Sequence, residues 1–536
     1  MSVLVADAVV DALAKAGINR FFCVPGAHVD ELCRSVSARS DVELVVCRTE
    51  QGAGMMALGH ARTSGQVACC LTIPGPGLLN LATALVTATA AGVPFLCVTG
   101  GIASRWDGVG LGLLHEAPPV LHHDDLLSGC HTLRPQDAVA DEVRALLTAT
   151  LTPPHRPALL EIPVDVAASN AATRALPAGV EPRVTAAADV EAAKRLLEGC
   201  CRPLIVSGGG ARTAAGAVLR LADRLDAPVV ITVNGRCPAL DAAERTLPAT
   251  ALAPLWDACD VVVAVGTRLA SIYGSDRHLR SPRPVVRVDA DPRRQTVPEK
   301  ATVGLTGDAA SIVRSLAERD LRIPGSGWDD DAVAALHNAC RLALWTVGPQ
   351  ADYTRVLHQT LADDAVVALD STQVAYHAMY ALPLTTGRSL LTAGMQGTLG
   401  SSLPMALGAK LAGRSREVVC VVGDGGFMFG LAELATLAKD DIAVVVIVFN
   451  DGAFGEVALA SPHAQAARYS QLVNPDLVLL AKAFGIEGRR VSSPDELTAV
   501  LQRDIGSQRP LLIDVRVDPF PGLGGIFNVG SYGGTR

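Results

Sequence analysis

Two Val-rich runs that each end in an acidic cluster constrain this chain more than any other feature. Val418–Val422 runs into Gly423-Asp424-Gly425-Gly426, and Ala443–Phe449 runs into Asn450-Asp451-Gly452. A helix-like stretch, Leu431–Lys439, separates them. Apolar runs on either side of a helix predict a βαβ unit, whose crossover makes the two strands parallel. Both carboxyl ends then open on one edge of the sheet. Asp424 and Asp451, 27 positions apart, come side by side there. Hard oxygen ligands beside a Gly-rich turn entering a helix suit Mg2+ and a phosphate together.

The same rhythm fills two blocks of the chain. In the first block the apolar runs are Phe21–Val24, Val42–Cys47, Val67–Leu71, Pro94–Thr99 and Ala158–Ile162. In the last they are Ala365–Leu369, Val418–Val422, Ala443–Phe449 and Leu511–Val515. Both blocks close alike, on Arg156-Pro157-Ala158-Leu159-Leu160-Glu161-Ile162 and Arg509-Pro510-Leu511-Leu512-Ile513-Asp514-Val515. Between them, Pro203–Gly210, Val261–Gly266 and Val285–Asp289 read as strand–glycine turns of a Rossmann-like domain. The expectation is an α/β protein of three domains with parallel sheets covered by helices, two of similar topology flanking the Rossmann-like one. The domains are expected at 1–170, 186–322 and 345–520, with a tail at 521–536. Ala167–Thr185 and Ile323–Asp330 read as linkers.

Composition narrows the function classes. The 536 residues are 49% hydrophobic and 19% charged, enough apolar material for a large core and for subunit contacts. A net charge of -8 offers no basic surface to a nucleic acid. No apolar run reaches membrane-spanning length without a polar or Gly/Pro break. Met1–Ala16 reads as an amphipathic helix, not as a signal peptide. The 13 cysteines lie mostly in apolar runs, as Cys69, Cys70, Cys97 and Cys420 do, which fits reduced thiols in the cytoplasm. No Cys/His spacing resembles a zinc site.

Gly-Asp-Gly, then 24 residues, then Asn-Asp resembles the metal–diphosphate motif of thiamine diphosphate (ThDP) enzymes. That motif ends more often in Asn-Asn, and Asp451 supplies an equivalent oxygen. The resemblance implies Mg2+ on Asp424, Asp451 and the main-chain carbonyl of Ala453, with Gly423, Gly425, Gly426 and Phe454 around the cofactor. Arg48-Thr49-Glu50-Gln51-Gly52-Ala53, after a strand, resembles the activating-glutamate segment of the acetolactate synthase-like branch. There a carboxyl group shares a proton with the cofactor's pyrimidine nitrogen, and an apolar setting that raises its pKa helps. Glu50 is the candidate; the family often has His where Thr49 stands. Gly394–Gly400 resembles the segment that keeps the cofactor bent, with Leu399 as the wedge between its rings and the Gly397 carbonyl accepting from its amino group. Thr72–Gly77 with Asn80 resembles the Gly-Pro-Gly turn over the pyrimidine, Gly75 being its first glycine. Asp370-Ser371-Thr372-Gln373 ends a strand where the family contacts the diphosphate; the usual Gln-His pair is here Gln373-Val374.

Substrate-facing candidates follow from the same resemblance. Val24-Pro25-Gly26-Ala27-His28 is similar to the segment of benzaldehyde lyase whose His transfers protons, with Pro25 and Gly26 beside the cofactor. The plain alternative for His28 is a strand-to-helix turn residue. His115, in Gly110–Glu116, stands where the family has Gln before Glu and is a second polar candidate. His122-His123 reads as surface; Met428 and Phe429 either line a pocket or pack a helix.

The resemblance implies a ThDP- and Mg2+-dependent carboligase or lyase working next to the carbonyl of 2-oxo acids or aldehydes. A 2-oxo acid decarboxylase of the same family is the alternative. A non-catalytic ThDP-fold subunit is the reading from another class, and the joint presence of Glu50, Asp424 and Asp451 stands against it. The expected partners are a small-molecule substrate, no nucleic acid and no membrane. A homodimer or homotetramer is implied, with active sites between the pyrimidine-binding domain of one subunit and the diphosphate-binding domain of another. FAD is not expected, because Asn234–Asp260 is short and lacks the His-Gly pair that helps to hold it in acetolactate synthases.

Overall fold

The computed structural model describes residues 3–118, 121, 123–172, 187–269, 283–297, 300–318, 327–461, 463 and 465–527. Three six-stranded sheets carry the fold. The first is built from β1 (Arg20–Cys23), β2 (Glu43–Val46), β3 (Ala68–Thr72), β4 (Phe95–Gly101), β5 (Gly129–Thr132) and β6 (Pro157–Pro163), in the order β2-β1-β3-β4-β6-β5. The second holds β7 (Pro203–Ser207), β8 (Val229–Ile231), β9 (Thr246–Pro248), β10 (Val261–Val265), β11 (Val285–Asp289) and β12 (Val303–Thr306), in the order β12-β11-β10-β7-β8-β9. The third holds β13 (Val366–Leu369), β14 (Ser389–Thr392), β15 (Val418–Gly423), β16 (Val445–Asn450), β17 (Glu487–Val491) and β18 (Leu511–Arg516), in the order β14-β13-β15-β16-β18-β17. Counted from its own first strand, the third sheet repeats the order of the first. The second has the doubly wound Rossmann order.

The inner strands β3, β4, β15 and β16 are buried along their length, which is why they are continuous apolar runs. Six strands escaped the sequence reading: β5, β8, β9, β12, β14 and β17. All but β8 lie at sheet edges, where one side has no partner and polar residues such as Arg489 and Arg490 are tolerated. The buried β8 is only three residues long. The expected helix at Leu431–Lys439 begins earlier, since Asp424–Gly430 is already helical.

The chain divides into two compact units. One holds the first and third sheets. Its two most buried helices, Glu50–Ser64 and Ser402–Ala412, are apolar on nearly every face. They touch backbone to backbone: a Cβ on Gly59 would strike the Met405 carbonyl, and one on Gly408 the Met56 carbonyl. One core, including Met55, Met56, Leu403 and Met405, runs through this contact.

The other unit is built on the second sheet, with a core on each face. The Gly208–Gly210 turn is consumed by packing. Gly208 N donates to Val265 O at 2.9 Å and Gly210 N to Gly266 O at 3.1 Å, while a Cβ on Gly266 would lie 2.5 Å from Gly210 C. The helices Asp330–Thr346 and Gly348–Thr360 belong to this unit, and Trp328 anchors the first through Nε1 to Pro203 O at 2.8 Å. Of the expected linkers, residues 173–185 and 323–326 lie outside the described residues, as does 528–536 of the expected tail. No helix among the described residues is long and apolar enough to cross a membrane.

Candidate active site

The third sheet brings the two acidic clusters together. β15 and β16 pair in parallel with Gly423 opposite Phe449, so Asp424 and Asn450-Asp451 leave adjacent strand ends. Asp424 opens the helix Asp424–Gly430 and is buried. Its Oδ2 accepts Gly452 N at 3.1 Å and the Asn474 amide. Asp451 Oδ1 accepts Ala453 N at 3.1 Å. The loop is pinned from outside, with Leu472 N donating to Gly452 O at 2.8 Å and Phe454 N to Ser470 O at 2.7 Å. Burial pushes Asp424 up to about 6, and the nearby negative charge of Asp451 adds to the rise. Burial raises Asp451 as well. A buried and a half-buried carboxylate whose charges are both disfavoured by desolvation form a donor set suited to a divalent cation, which would reverse both shifts. No third His, Cys, Asp or Glu joins them among the described residues. Further coordination is therefore left to carbonyls, such as that of Ala453, and to ligand oxygens.

The glycines here answer to protein neighbours. A Cβ on Gly425 would lie 2.6 Å from the Phe454 ring, one on Gly426 2.8 Å from Asp370 Oδ1, and one on Gly423 3.2 Å from Thr372. Asp370 organises the next segment. It is buried, and burial raises its pKa although three main-chain donors oppose this. Its Oδ1 accepts Ser371 N at 2.9 Å and Gly400 N at 3.2 Å, and its Oδ2 accepts Ser402 N at 2.9 Å. The loop so held has positive φ at Gly394, Gly397 and Gly400 and presents half-buried Leu399 and the exposed main chain of Gly397. Gln373 is buried and donates to Glu456, the second residue of the helix Gly455–Ala460.

Glu50 is the first residue of the helix Glu50–Ser64, whose N-cap is Thr49: Thr49 Oγ1 accepts Gly52 N at 3.0 Å. Asn80 Nδ2 donates to Glu50 Oε2 at 3.1 Å, so the structure joins two residues picked from separate motifs. The carboxylate of Glu433 accepts Thr49 N and Thr49 Oγ1, each at 3.0 Å. Thr49, unexplained by the resemblance, is thus the link between the Glu50 helix and Glu433.

His28 lies in the short helical turn Ala27–Val29 beyond β1. Its backbone rests on Gly100 at the end of β4, where no Cβ would fit. His28 Nδ1 lies 3.3 Å from His115 Nδ1, with ring centroids 5.0 Å apart. Burial, then the neighbouring His115, lowers the His28 pKa. His115 has φ 64, and its carbonyl would lie 2.6 Å from a Cβ on Gly75, which itself has φ 60. Glu116 shapes this loop, accepting Gly110 N at 3.0 Å and Leu113 N at 2.9 Å. Ile73 connects the groups: it meets the Cβ positions of Gly26 at 2.6 Å and Gly77 at 2.5 Å, and the Gly77 position is 3.3 Å from Glu50 Oε1. Pro25 is exposed beside them. His122 lies outside the described residues, and His123 is exposed. Met428 and Phe429 are exposed, the latter 61%.

Sequence reading missed Asn474, Glu433, Glu116 and the organising role of Asp370. Asn474 and Glu433 reach the site from elements whose local sequence carries no motif. Asp370 lay inside a quoted segment, and only its burial shows what it does.

Three family models match the chain: the thiamine pyrophosphate enzyme N-terminal TPP binding domain over residues 4–124, the central domain over 190–316 and the C-terminal TPP binding domain over 370–515. A probable 2-ketoarginine decarboxylase of Pseudomonas aeruginosa is 33% identical over 529 residues, covering 95% of this chain and 93% of that protein. The acetolactate synthase isozyme 2 large subunit of Escherichia coli is 28% identical over 539 residues, covering 95% of each. A crystallised protein of Mycobacterium smegmatis assigned to the thiamin diphosphate-dependent enzymes superposes with a TM-score of 0.80 at 23% identity, over 97% of this chain and 100% of that one. The chain belongs to the thiamine diphosphate-dependent enzyme family, in its acetolactate synthase-like branch. It is a ThDP-dependent enzyme, and both carboligation and decarboxylation fit its relatives.

Proposed function

We propose that the enzyme uses ThDP and Mg2+ to make or break a carbon–carbon bond next to the carbonyl of a 2-oxo acid or aldehyde. The observation that carries this reading is the pair of carboxylates at adjacent strand ends, buried Asp424 and half-buried Asp451, each with its pKa raised by desolvation. Asp424, Asp451 and the Ala453 carbonyl would hold Mg2+. Bound there, ThDP supplies the carbanion that the protein cannot make from its own side chains. Glu50, aligned by Asn80, would share a proton with the pyrimidine nitrogen. Leu399 and Gly397 would shape the cofactor's seat from the diphosphate-binding domain, and Gly75 and Asn80 from the pyrimidine-binding domain. His28 and His115, 3.3 Å apart, move protons at the substrate oxygen: with its pKa lowered, His28 is neutral near pH 7 and able to act as a base. The enzyme is read as cytoplasmic and as a homodimer or homotetramer, which sedimentation velocity checks.

A second reading is decarboxylation of a 2-oxo acid with a cationic side chain. Two observations favour it: the 33% identical relative is named for 2-ketoarginine, and Glu456 places a carboxylate beside Gln373, five residues beyond Asp451. The deciding experiment incubates the purified protein, ThDP and Mg2+ with pyruvate, aromatic 2-oxo acids, benzaldehyde, benzoin and 2-ketoarginine. Ligated or cleaved product from the aldehydes supports the first reading. Carbon dioxide from 2-ketoarginine, lost in Glu456→Gln, supports the second. No turnover of any of these with bound ThDP would sink both.

A further inference from the structure

We infer that Glu433 is a positioning residue for the activating carboxylate, acting through Thr49 on the helix that carries Glu50. The inference rests on the assignment of Glu50 made above.

Glu433 is nine residues beyond Asp424 and is 1% exposed. A buried carboxylate needs donors, and the donors that it has are unusual in where they come from. Oε1 accepts Thr49 N and Thr49 Oγ1, each at 3.0 Å, and Arg48 N lies 3.3 Å from both oxygens. Oε2 accepts Thr436 Oγ1 at 2.7 Å. Three of these four donor groups belong to the residues just before Glu50. Among the described residues no Lys, Arg or His pairs with Glu433, so apart from the Thr436 hydroxyl its oxygens are met by the main-chain N–H groups and the hydroxyl that precede a 15-residue helix. A helix start is favourable for an anion, which makes the contact directional.

Thr49 carries the effect forward. Its hydroxyl donates to Glu433 while its oxygen accepts Gly52 N at 3.0 Å. One carboxylate therefore fixes the two residues before Glu50 directly and the second residue after it through Thr49. Gly52 confirms how close the approach is: a Cβ there would collide with Glu433 Oε1. Asn80 aligns the Glu50 carboxylate from the far end. Glu433 fixes where its main chain starts. Proton sharing between Glu50 and a ring nitrogen depends on placement to within fractions of an ångström, and a misplacement of about 1 Å can reduce a rate about 10²-fold.

The test compares Glu433→Gln, Glu433→Ala, Glu50→Gln and the double variant Glu50→Gln/Glu433→Gln with the wild type. Two readouts are taken besides turnover: amide hydrogen exchange of residues 48–52 in the cofactor-free protein, and hydrogen–deuterium exchange at the thiazolium carbon of bound ThDP. In Glu433→Gln the amides of Arg48 and Thr49 should lose protection and the thiazolium exchange should slow about 10-fold to 10²-fold. ThDP affinity in Mg2+ should stay within about threefold. The double variant should be no slower than Glu50→Gln alone, because Glu433 acts through Glu50. Wild-type thiazolium exchange in folded Glu433→Gln would overturn the inference while leaving Glu50 in its role. Wild-type exchange in Glu50→Gln would overturn the Glu50 assignment itself. If Glu433→Ala does not fold, Thr49→Val cuts the same link from the other end. It should slow thiazolium exchange with ThDP affinity retained, and unchanged exchange there would count against the inference.

Discussion

At the residue scale, Asp424 shows how a site stores the need for its ligand. Its pKa in the folded, cation-free protein is about 6, against an ordinary value of 3.8. The folded state therefore holds the proton more tightly than the unfolded chain between these values, and stability falls as pH rises through that window, by about 1.4 kcal/mol per unit. Asp424→Asn removes the penalty. It should raise the melting temperature of the apoprotein at pH 7, by a stability gain on the order of 2–3 kcal/mol, with the difference vanishing near pH 4. Melts in chelator across that pH range check this. The same variant should lose ThDP retention, because the cation requires the charge that the apoprotein resists. His28 gives a second test. His28→Ala should lose about 10²-fold or more in the bond-making or bond-breaking step with ThDP affinity unchanged. Because His115 lies 3.3 Å away and can share the load, His28→Ala/His115→Ala should lose less than the product of the single losses. Steady-state rates with a ThDP titration read both.

At the element scale, the helices Glu50–Ser64 and Ser402–Ala412 matter most. They are positioned by glycines at which two main chains touch, not by a stripe of large side chains. Gly408→Ala puts a methyl group into the Met56 carbonyl and close to His60 N at 2.9 Å. Neither helix can move without disturbing the core that contains Met55 and Met405. A loss of about 3 kcal/mol or more is expected, at the upper end of overpacking. Denaturant unfolding measures it. Because Glu50 begins one of these helices, this packing also sets the floor on which the Thr49–Glu433 contact is built.

At the scale of the whole molecule, one topology is used twice and a Rossmann order once. In the doubled topology, the proposed site residues and their neighbours sit at the carboxyl ends of strands: His28 after β1, Gly75 and Ile73 after β3, Gly100 at the end of β4, Asp370 after β13, Asp424 after β15 and Asp451 after β16. The Rossmann sheet spends its glycines differently. Gly208, Gly210 and Gly266 are filled by each other's backbones, and no His-Gly pair follows Asn234 within the expected interval. The purified protein should carry no stoichiometric flavin. A visible absorbance spectrum checks this, and a yellow protein with one flavin per chain would refute it.

The sequence determined what depends on local period and spacing. Val-rich runs bounded by glycines favour strands buried on both faces, so most inner strands and the βαβ unit were legible, and with them the meeting of Asp424 and Asp451. Glu50 was singled out because Arg48–Ala53 resembles the activating-glutamate segment of the family; the capping role of Thr49 became visible only in the structure. The edge strands β5, β9, β12, β14 and β17 were not legible, because a half-partnered strand needs no continuous apolar run, and the inner β8 was not because it is only three residues long. Tertiary structure alone decided the contacts that join distant segments. Glu433 meets Thr49 across 384 positions, Asn474 meets Asp424 across 50 and His115 meets His28 across 87. Each is a polar pair made where two strand ends or helix ends converge. A hydrogen bond of this kind leaves no period in the sequence, because the residues around it are fixed by their own elements and only the fold brings the two ends within reach.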